Sequence, residues 1–355
     1  MTLSICHVNL AKSYNGGENQ AYELIKHQLT LGYSLTVVAR LNSPFANAIE
    51  ALGGCKIISA RHFSDGQTRL INQQNCVVHV HEGRSIYWAL LQKWLHGTPY
   101  VITRRIDNPL KPKLFNRLAY GQAAAVIGLS HAITSNIKKF CSKLEPYLIP
   151  DSPISYPCSS VTTQNIRTRF TNKILIIQAA NMLAHKGFDV TIECARQLSA
   201  NEPDLHFVLI GDGDELPSLK QRAQGLRNVT FVGRQYNMGD WFSAADIFAH
   251  PAYSEGMGSV ILEAMQAQLP VVASNVGGIP DVITHNDSGI LIPPGDSIQL
   301  ANAIVKLTNN ASFRHGLVKR ANQELERFSI ERTAALYQQL YLSVSPYQKE
   351  QRCYD

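Results

Sequence analysis

The sequence predicts an α/β protein made of two doubly wound, parallel-sheet domains. Three observations lead there. Apolar runs of strand length alternate along the chain with amphipathic segments of helical period, the pattern of parallel sheets with crossover helices. A stretch rich in proline and small polar residues, Pro150-Asp-Ser-Pro-Ile-Ser-Tyr-Pro157-Cys-Ser-Ser-Val-Thr-Thr-Gln, breaks that alternation and reads as a linker without helical period. The length of 355 residues holds two domains of ordinary size.

In the first half, strands are expected at Ser4–Val8, Ser34–Val38, Cys76–Val80, Tyr100–Thr103 and Ala124–Leu129. Helical stretches fall between them, at Glu18–Leu31, Ser85–Leu95 and His131–Phe140. In the second half the strands are Lys173–Ala179, His206–Ile210, Val229–Val232, Ile247–Ala249 and Pro270–Ala273, with a helix from about Gly258 to Gln268. Two helical segments, Ser312–Arg327 and Ser329–Leu342, end the chain. The expected divisions are 1–160, 161–328, and a terminal helix with its tail, 329–355.

The 45% hydrophobic content is that of a soluble globular protein. No apolar stretch reaches the roughly 18 residues of a membrane span. The start, Met1-Thr-Leu-Ser-Ile-Cys-His-Val-Asn-Leu, reads as a first strand and not as a signal peptide. Seven cysteines (6, 55, 76, 141, 158, 194, 353) are scattered, with no C-x-x-C pair. That indicates neither a disulfide framework nor a zinc site, and a reducing cytoplasm is expected. Charge is uneven. Residues 1–160 carry 16 Lys and Arg against 8 Asp and Glu, whereas 161–355 carry 17 against 19, giving the chain its +6. A basic half implies an acidic partner, and anionic lipid, an acidic glycan and nucleic acid all have that charge.

The most informative segment is His250-Pro-Ala-Tyr-Ser-Glu255-Gly256-Met257-Gly258-Ser259-Val-Ile-Leu-Glu263-Ala-Met. A glycine-containing turn from strand to helix places backbone N–H groups at the positive end of a helix dipole, where phosphate binds. Eight helical residues span roughly 12 Å, about the length of a sugar diphosphate. One carboxylate can then face sugar hydroxyls and the other a ribose. The plain alternative is a polar stripe of Ser259, Glu263 and Gln266 on an otherwise apolar helix.

This segment resembles the E-x7-E motif of the retaining glycosyltransferases of family 4, which have the GT-B fold: two Rossmann-like domains facing a central cleft. The resemblance continues through Pro270-Val-Val-Ala-Ser-Asn-Val-Gly277-Gly278-Ile-Pro-Asp281 and Ser288-Gly289-Ile-Leu-Ile-Pro-Pro. It covers most of the C-terminal half and a few N-terminal loops. It implies that Glu255 binds the sugar, that Glu263 holds the ribose, and that Gly256, Met257, Gly258 and Ser259 meet the donor phosphates. The last helix is implied to return to the first domain.

Other constellations fit the same frame. Tyr14-Asn-Gly16-Gly17-Glu18 is a glycine pair before a helix, either a plain turn or, by resemblance, the loop facing the donor phosphates. In Val78-His79-Val80-His81-Glu82, alternation puts both histidines on one face. They read as satisfied polar groups or, by resemblance to an H-x-H-E stretch, as placing His81 at the transferred sugar. A zinc site is disfavoured because no third ligand has the usual spacing. Lys186 precedes a helix and can neutralise a leaving diphosphate. The family has an arginine five residues earlier, where this chain has Asn181, so one cationic donor is missing.

Arg104 and Arg105 follow a first-domain strand. They could complement the diphosphate, bind an acidic acceptor, or pair with Asp107. Arg234 is placed beside the nucleobase by resemblance. Asp212 and Asp214 look like a D-x-D metal pair, but Asp-Gly after a strand is ordinary turn chemistry, and no metal is expected. The stretch Asn108–Tyr120, with Lys111, Lys113 and Arg117, could lie on an anionic membrane or simply pack its apolar face inward.

The resulting expectation is a cytoplasmic, metal-independent retaining glycosyltransferase, peripheral on the inner membrane face. It has no cofactor beyond a nucleotide-sugar donor, a UDP-sugar being expected. Its acceptor would be an acidic glycan or glycolipid of the lipopolysaccharide-core type, and nucleic acid is not expected as a partner. The alternatives are a nucleotide-sugar epimerase or phosphorolytic enzyme on the same fold, and a non-catalytic sugar-nucleotide-binding module.

Overall fold

Strand β1 (Ser4–Asn9) is buried along its whole length. A strand covered on both faces is what a parallel sheet with helices on both sides requires. The computed structural model describes residues 3–70 and 75–345. The tail beyond Ser345, Cys353 included, lies outside them.

After β1 come α1 (Gly16–Thr30), β2 (Ser34–Arg40), α2 (Pro44–Leu52), β3 (Lys56–Ala60), β4 (Cys76–Val80), α3 (Ser85–His96), β5 (Tyr100–Arg104), α4 (Leu114–Gly121), β6 (Ala125–Gly128), α5 (His131–Phe140) and β7 (Tyr147–Leu148). The seven strands form one parallel sheet in the order β3-β2-β1-β4-β5-β6-β7. The order reverses between β1 and β4, the kind of place where open α/β sheets hold ligands at the carboxyl ends of strands. Register there sets His7 beside His79.

The second set is α6 (Ser160–Thr168), β8 (Ile174–Ala179), α7 (Phe188–Leu198), β9 (Leu205–Ile210), α8 (Leu216–Arg222), β10 (Val229–Gly233), α9 (Met238–Ala244), β11 (Ile247–His250), α10 (Ser259–Gln266), β12 (Val271–Ser274), α11 (Ile279–Val282), β13 (Ile290–Ile292), α12 (Ser297–Asn309) and α13 (Ala311–Glu324). Its six strands are also parallel, in the order β10-β9-β8-β11-β12-β13. The reversal here lies between β8 and β11. Phe207, Ile247, Val272 and Ile304 pack on one side of this sheet, and Met182, Phe188, Ile192 and Leu209 form a second apolar cluster.

The final helix, α14 (Ile330–Val344), belongs with the first set. Its Ala334, Tyr337, Leu340 and Tyr341 join the core of Ile5, Leu24, Val37 and Phe45. The Thr333 hydroxyl donates to the Pro150 carbonyl. The chain thus divides into one unit of Met1–Ser152 with the segment from Ser329 onward, and a second of Pro153–Phe328.

The linker reading needs correction. The segment read as having no helical period contains the start of α6, which Ser159 caps by accepting from Thr162 N. Only Ile166 of that helix is buried, so it has almost no apolar period to show. The bond from Ser159 N to Asp240 Oδ1, 2.6 Å, ties its start into the second unit. The unit boundary falls after Ser152, not after 160. Strands β3, β7 and β13 were not expected: all three are sheet edges, and β7 and β13 have two and three residues, too few to display alternation.

Candidate active site

In the second unit, the chemistry gathers where β8 and β11 run side by side. Gly187 ends the loop after β8 with φ +69°, and a Cβ there would stand 1.9 Å from the Pro251 carbonyl oxygen. Only glycine permits both the left-handed backbone and that approach. Tyr253 N donates to the His185 carbonyl at 2.8 Å, so the two loops are laced together.

The lacing brings Lys186 to Glu255. Lys186 Nζ donates to Glu255 Oε2 at 2.7 Å, and His250 Nε2 lies 2.8 Å from the same oxygen. Gly256 N donates to Oε1 at 3.1 Å. Behind this, Gln178 Nε2 donates to the Lys186 carbonyl and the Thr191 hydroxyl to Gln178 Oε1, fixing the lysine backbone. Burial would raise the Glu255 pKa, but the His250 hydrogen bond and the Lys186 charge outweigh it and hold the carboxyl well below its usual range. Glu255 is therefore an anion.

Glu263 is the opposite case. It sits within α10, whose first turn is set by Gly258 at φ +83°. It is buried, so it does not belong to a solvated polar stripe. Burial pushes its pKa up to about 8, against a hydrogen bond with Tyr156 that lowers it. The two carboxylates of one segment are driven to different protonation states, as in sites that divide roles between carboxyl groups. Met257 is buried and Ser259 is the first residue of α10.

In the first unit, His81 is buried and both its ring nitrogens are engaged. Nε2 lies 2.8 Å from His7 Nδ1, and Nδ1 lies 3.3 Å from Arg105 Nη1. Arg105 is paired with Asp151 at 3.3 Å, not with Asp107. Arg104 turns inward to the Asn108 carbonyl, with its Nε buried and unpartnered among the described residues. It is not an open cation for an acceptor, which corrects that expectation. Gly16 and Gly17 form the first turn of α1, closed by the reciprocal bonds of Asn15 and Glu18. Neither has a left-handed backbone, and a Cβ on Gly17 would meet Arg105 Cδ at an ordinary 3.5 Å.

The third ligand that sequence spacing did not offer comes from another strand. His7, on the neighbouring strand, brings three imidazoles together, with ligand atoms within 4.8 Å of one another. Spacing along one chain could not reveal it, because sheet order creates it. His250 was missed as well. Its signal was its place as the last residue of a strand, five before Glu255.

Residues 162–324, most of the second unit, match the family model "Glycosyl transferases group 1". N-acetyl-alpha-D-glucosaminyl L-malate synthase of Bacillus anthracis is 24% identical over 70% of this chain and 67% of its own length. Matches to the first curated relatives span between a third and two thirds of those proteins. Anabaena HepE in complex with UDP-glucose superposes with a TM-score of 0.84, at 19% identity, over 96% of this chain and 100% of that one. The lipopolysaccharide outer core galactosyltransferase WaaB gives a TM-score of 0.69 at 15% identity, covering 96% and 99%. The chain has the GT-B fold, and its second unit matches the group 1 glycosyl transferase model.

The matched region contains Lys186, Glu255 and Glu263. Asn181 is exposed at the end of β8, and Arg234 is exposed after β10, its guanidinium 5.6 Å from the Tyr236 ring centroid. Asp212 Oδ1 accepts from Gly213 N at 2.8 Å, the turn role that competed with metal binding. Among the described residues, Asp212 and Asp214 belong to no cluster of three metal-ligating groups.

Proposed function

We propose that this chain is a glycosyltransferase that moves a sugar, with retention of anomeric configuration, from a UDP-sugar to an acidic glycan or glycolipid of the bacterial cell envelope, with a lipopolysaccharide core as the specific acceptor. One observation carries the reading: Lys186, Glu255 and His250 converge at the strand-order reversal of the second unit, directly before α10 and its buried Glu263. The solved relatives named for UDP-glucose and for a lipopolysaccharide outer core support the donor and acceptor classes.

In this reading the donor binds to the second unit. Lys186 and the start of α10, with Gly256, Met257, Gly258 and Ser259, complement the diphosphate. Glu255 accepts from sugar hydroxyls, Glu263 from the ribose, and Arg234 lies by the base. The basic first unit takes the acceptor, with His81 and Arg105 on its reacting face. The bond from C1 to the diphosphate oxygen breaks, and the acceptor oxygen bonds to C1 on the same face. The acceptor's proton passes to the departing diphosphate. Exposed Asn181 leaves Lys186 as the loop's cation for that charge.

The deciding experiment presents the purified chain with a panel of nucleotide sugars and a dephosphorylated or intact core acceptor, and reads product anomers by NMR. An inverted linkage would sink retention. Epimerisation or phosphorolysis without an acceptor would favour the rival enzymes, and nucleotide binding without turnover a binding module. Activity is expected to persist in EDTA. A tenfold or larger loss restored by Mn²⁺ or Mg²⁺ would overturn the metal-free mechanism.

The same reading puts the enzyme on the cytoplasmic membrane surface. Helix α4 presents Leu114 (69% exposed) and Phe115 (59%) outward, and Trp94 of α3 is 53% exposed, its Nε1 donating to Gln122. These side chains are not core, and Lys111, Lys113 and Arg117 flank the first two along the sequence. A surface lysine or arginine is worth about 1 kcal/mol near an anionic bilayer. Converting those three to Glu is expected to release the protein from anionic vesicles in co-sedimentation, with UDP binding unchanged. Equal sedimentation of mutant and wild type would remove this face as the contact.

A further inference from the structure

The buried histidines of the first unit lie on a hydrogen-bond chain that can run in only one direction. Arginine has N–H groups to give and nothing to accept with. Arg105 Nη1 faces His81 Nδ1 at 3.3 Å, so that nitrogen presents its lone pair and the His81 proton sits on Nε2. Nε2 then donates to His7 Nδ1 at 2.8 Å. His7 must carry its own proton on Nε2, which meets Gln28 Oε1 at 2.8 Å. Asp151 holds the arginine at the head of the chain.

A metal would not fit these groups as they stand. Two ligands on a tetrahedral zinc are roughly 3.3 Å apart, given Zn–N bonds near 2.0–2.1 Å. The His7 and His81 nitrogens are closer and share a proton. The His79 nitrogens are occupied by the Tyr341 hydroxyl at 2.6 Å and the Thr103 hydroxyl at 2.7 Å. A guanidinium already points into the cluster.

We propose that His7 is a positioning residue for His81: backed by Gln28, it holds His81 as the neutral Nε2–H tautomer and so fixes the edge against which Arg105 is oriented. The inference rests on the reading that His81 and Arg105 face the reacting sugar. A proton on His81 Nδ1 would set N–H against N–H and drive Arg105 away. The surroundings resist it from every side. His7 and His79 on the neighbouring strand positions and Arg105 add positive potential, and Tyr337 and Tyr341 of α14 close the pocket. Burial, then His79, Arg105 and His7, lowers the His81 pKa well below its ordinary value, and burial takes His7 down to about 4. The negative groups, Asp151 and Glu18, act on Arg105.

The test is spectroscopic first. Long-range ¹H–¹⁵N correlation spectra of the histidine-labelled full chain, assigned with His7→Gln and His81→Asn, should show both rings as Nε2–H tautomers that do not titrate between about pH 5.5 and 8. An Nδ1–H form of His81, or an imidazolium at pH 7, overturns the proposal whatever the activity. Kinetics come second. His7→Phe, which cannot accept from His81, should lower kcat by about tenfold or more with donor KM within about twofold, and add a pH limb between roughly 6 and 7. His7→Gln, which can both accept and donate, should keep kcat within about threefold. Gln28→Met tests the far end if His7→Phe does not fold. A folded His7→Phe with wild-type kcat and pH profile overturns the positioning role. Absence of sugar transfer by the wild type with every donor would defeat the functional reading instead, while the spectra would still decide the chain.

Discussion

Glu255→Ala is expected to lower kcat by about a hundred- to a thousandfold while UDP affinity changes by less than about threefold, the range seen when one group that stabilises the transition state is removed. The carboxylate collects three donors, Lys186, His250 and the Gly256 amide, and the first two hold it ionised against its burial. An anion fixed in this way is a ready acceptor for sugar hydroxyls. Its worth grows as positive charge develops at C1, which is why the loss should appear in kcat and not in binding. The partner left behind explains the second half of the expectation. Lys186 is 18% exposed, and once released from Glu255 it can turn wholly to a diphosphate. Glu255→Gln keeps the shape and tests charge alone; it should lie between alanine and wild type. Steady-state rates with a confirmed donor, beside calorimetric UDP titration, check both. Near wild-type turnover in the alanine variant would remove Glu255 from the sugar.

What the sequence made legible was whatever is local. Apolar runs located the long strands, because strands buried on both faces are continuous in composition. Glu255 and Glu263 stood out because a strand, a glycine turn and a helix follow each other directly, so that their relation is written along one segment. Gly187 next to Lys186 carried the same kind of signal. What stayed hidden depends on sheet order. His7 lies some seventy residues before His79 and His81, and only the adjacency of β1 and β4 joins them. The same holds for Asp151, which claims Arg105, while Asp107 next door in sequence receives Asn136. Helix α6 escaped for another reason. Its single buried residue gives no periodicity, and its fixed point, Asp240, lies in a distant helix. Arg104 was misjudged because alternate residues of one strand end face opposite ways, and sequence alone does not say which way is inward.

Donor binding is expected to strengthen as pH rises, through Glu263. Burial within α10 pushes its carboxyl up to about 8, which leaves it mostly protonated near neutrality. A raised folded-state pKa means that the group's contribution to stability is complete below about 4.5 and is lost as pH climbs through about 8. The free protein should therefore become less stable to heat over that interval, and Glu263→Gln should flatten the slope. Ribose hydroxyls reverse the preference, since a carboxylate can accept from both while a protonated carboxyl must spend one oxygen as a donor. Binding a UDP-sugar then expels the proton. If only the ionised form binds well, apparent affinity scales with its fraction, which rises about fiftyfold between pH 6 and 8. The bridging diphosphate of a nucleotide sugar has no proton to lose in this range, so the trend belongs to the protein. Calorimetry in buffers of different ionisation enthalpy should count close to one proton released per donor bound at pH 7, and none for Glu263→Gln. A pH-independent wild-type affinity with no proton release would mean that Glu263 does not meet the ribose as an anion, and the role assigned to α10 would pass to its backbone alone.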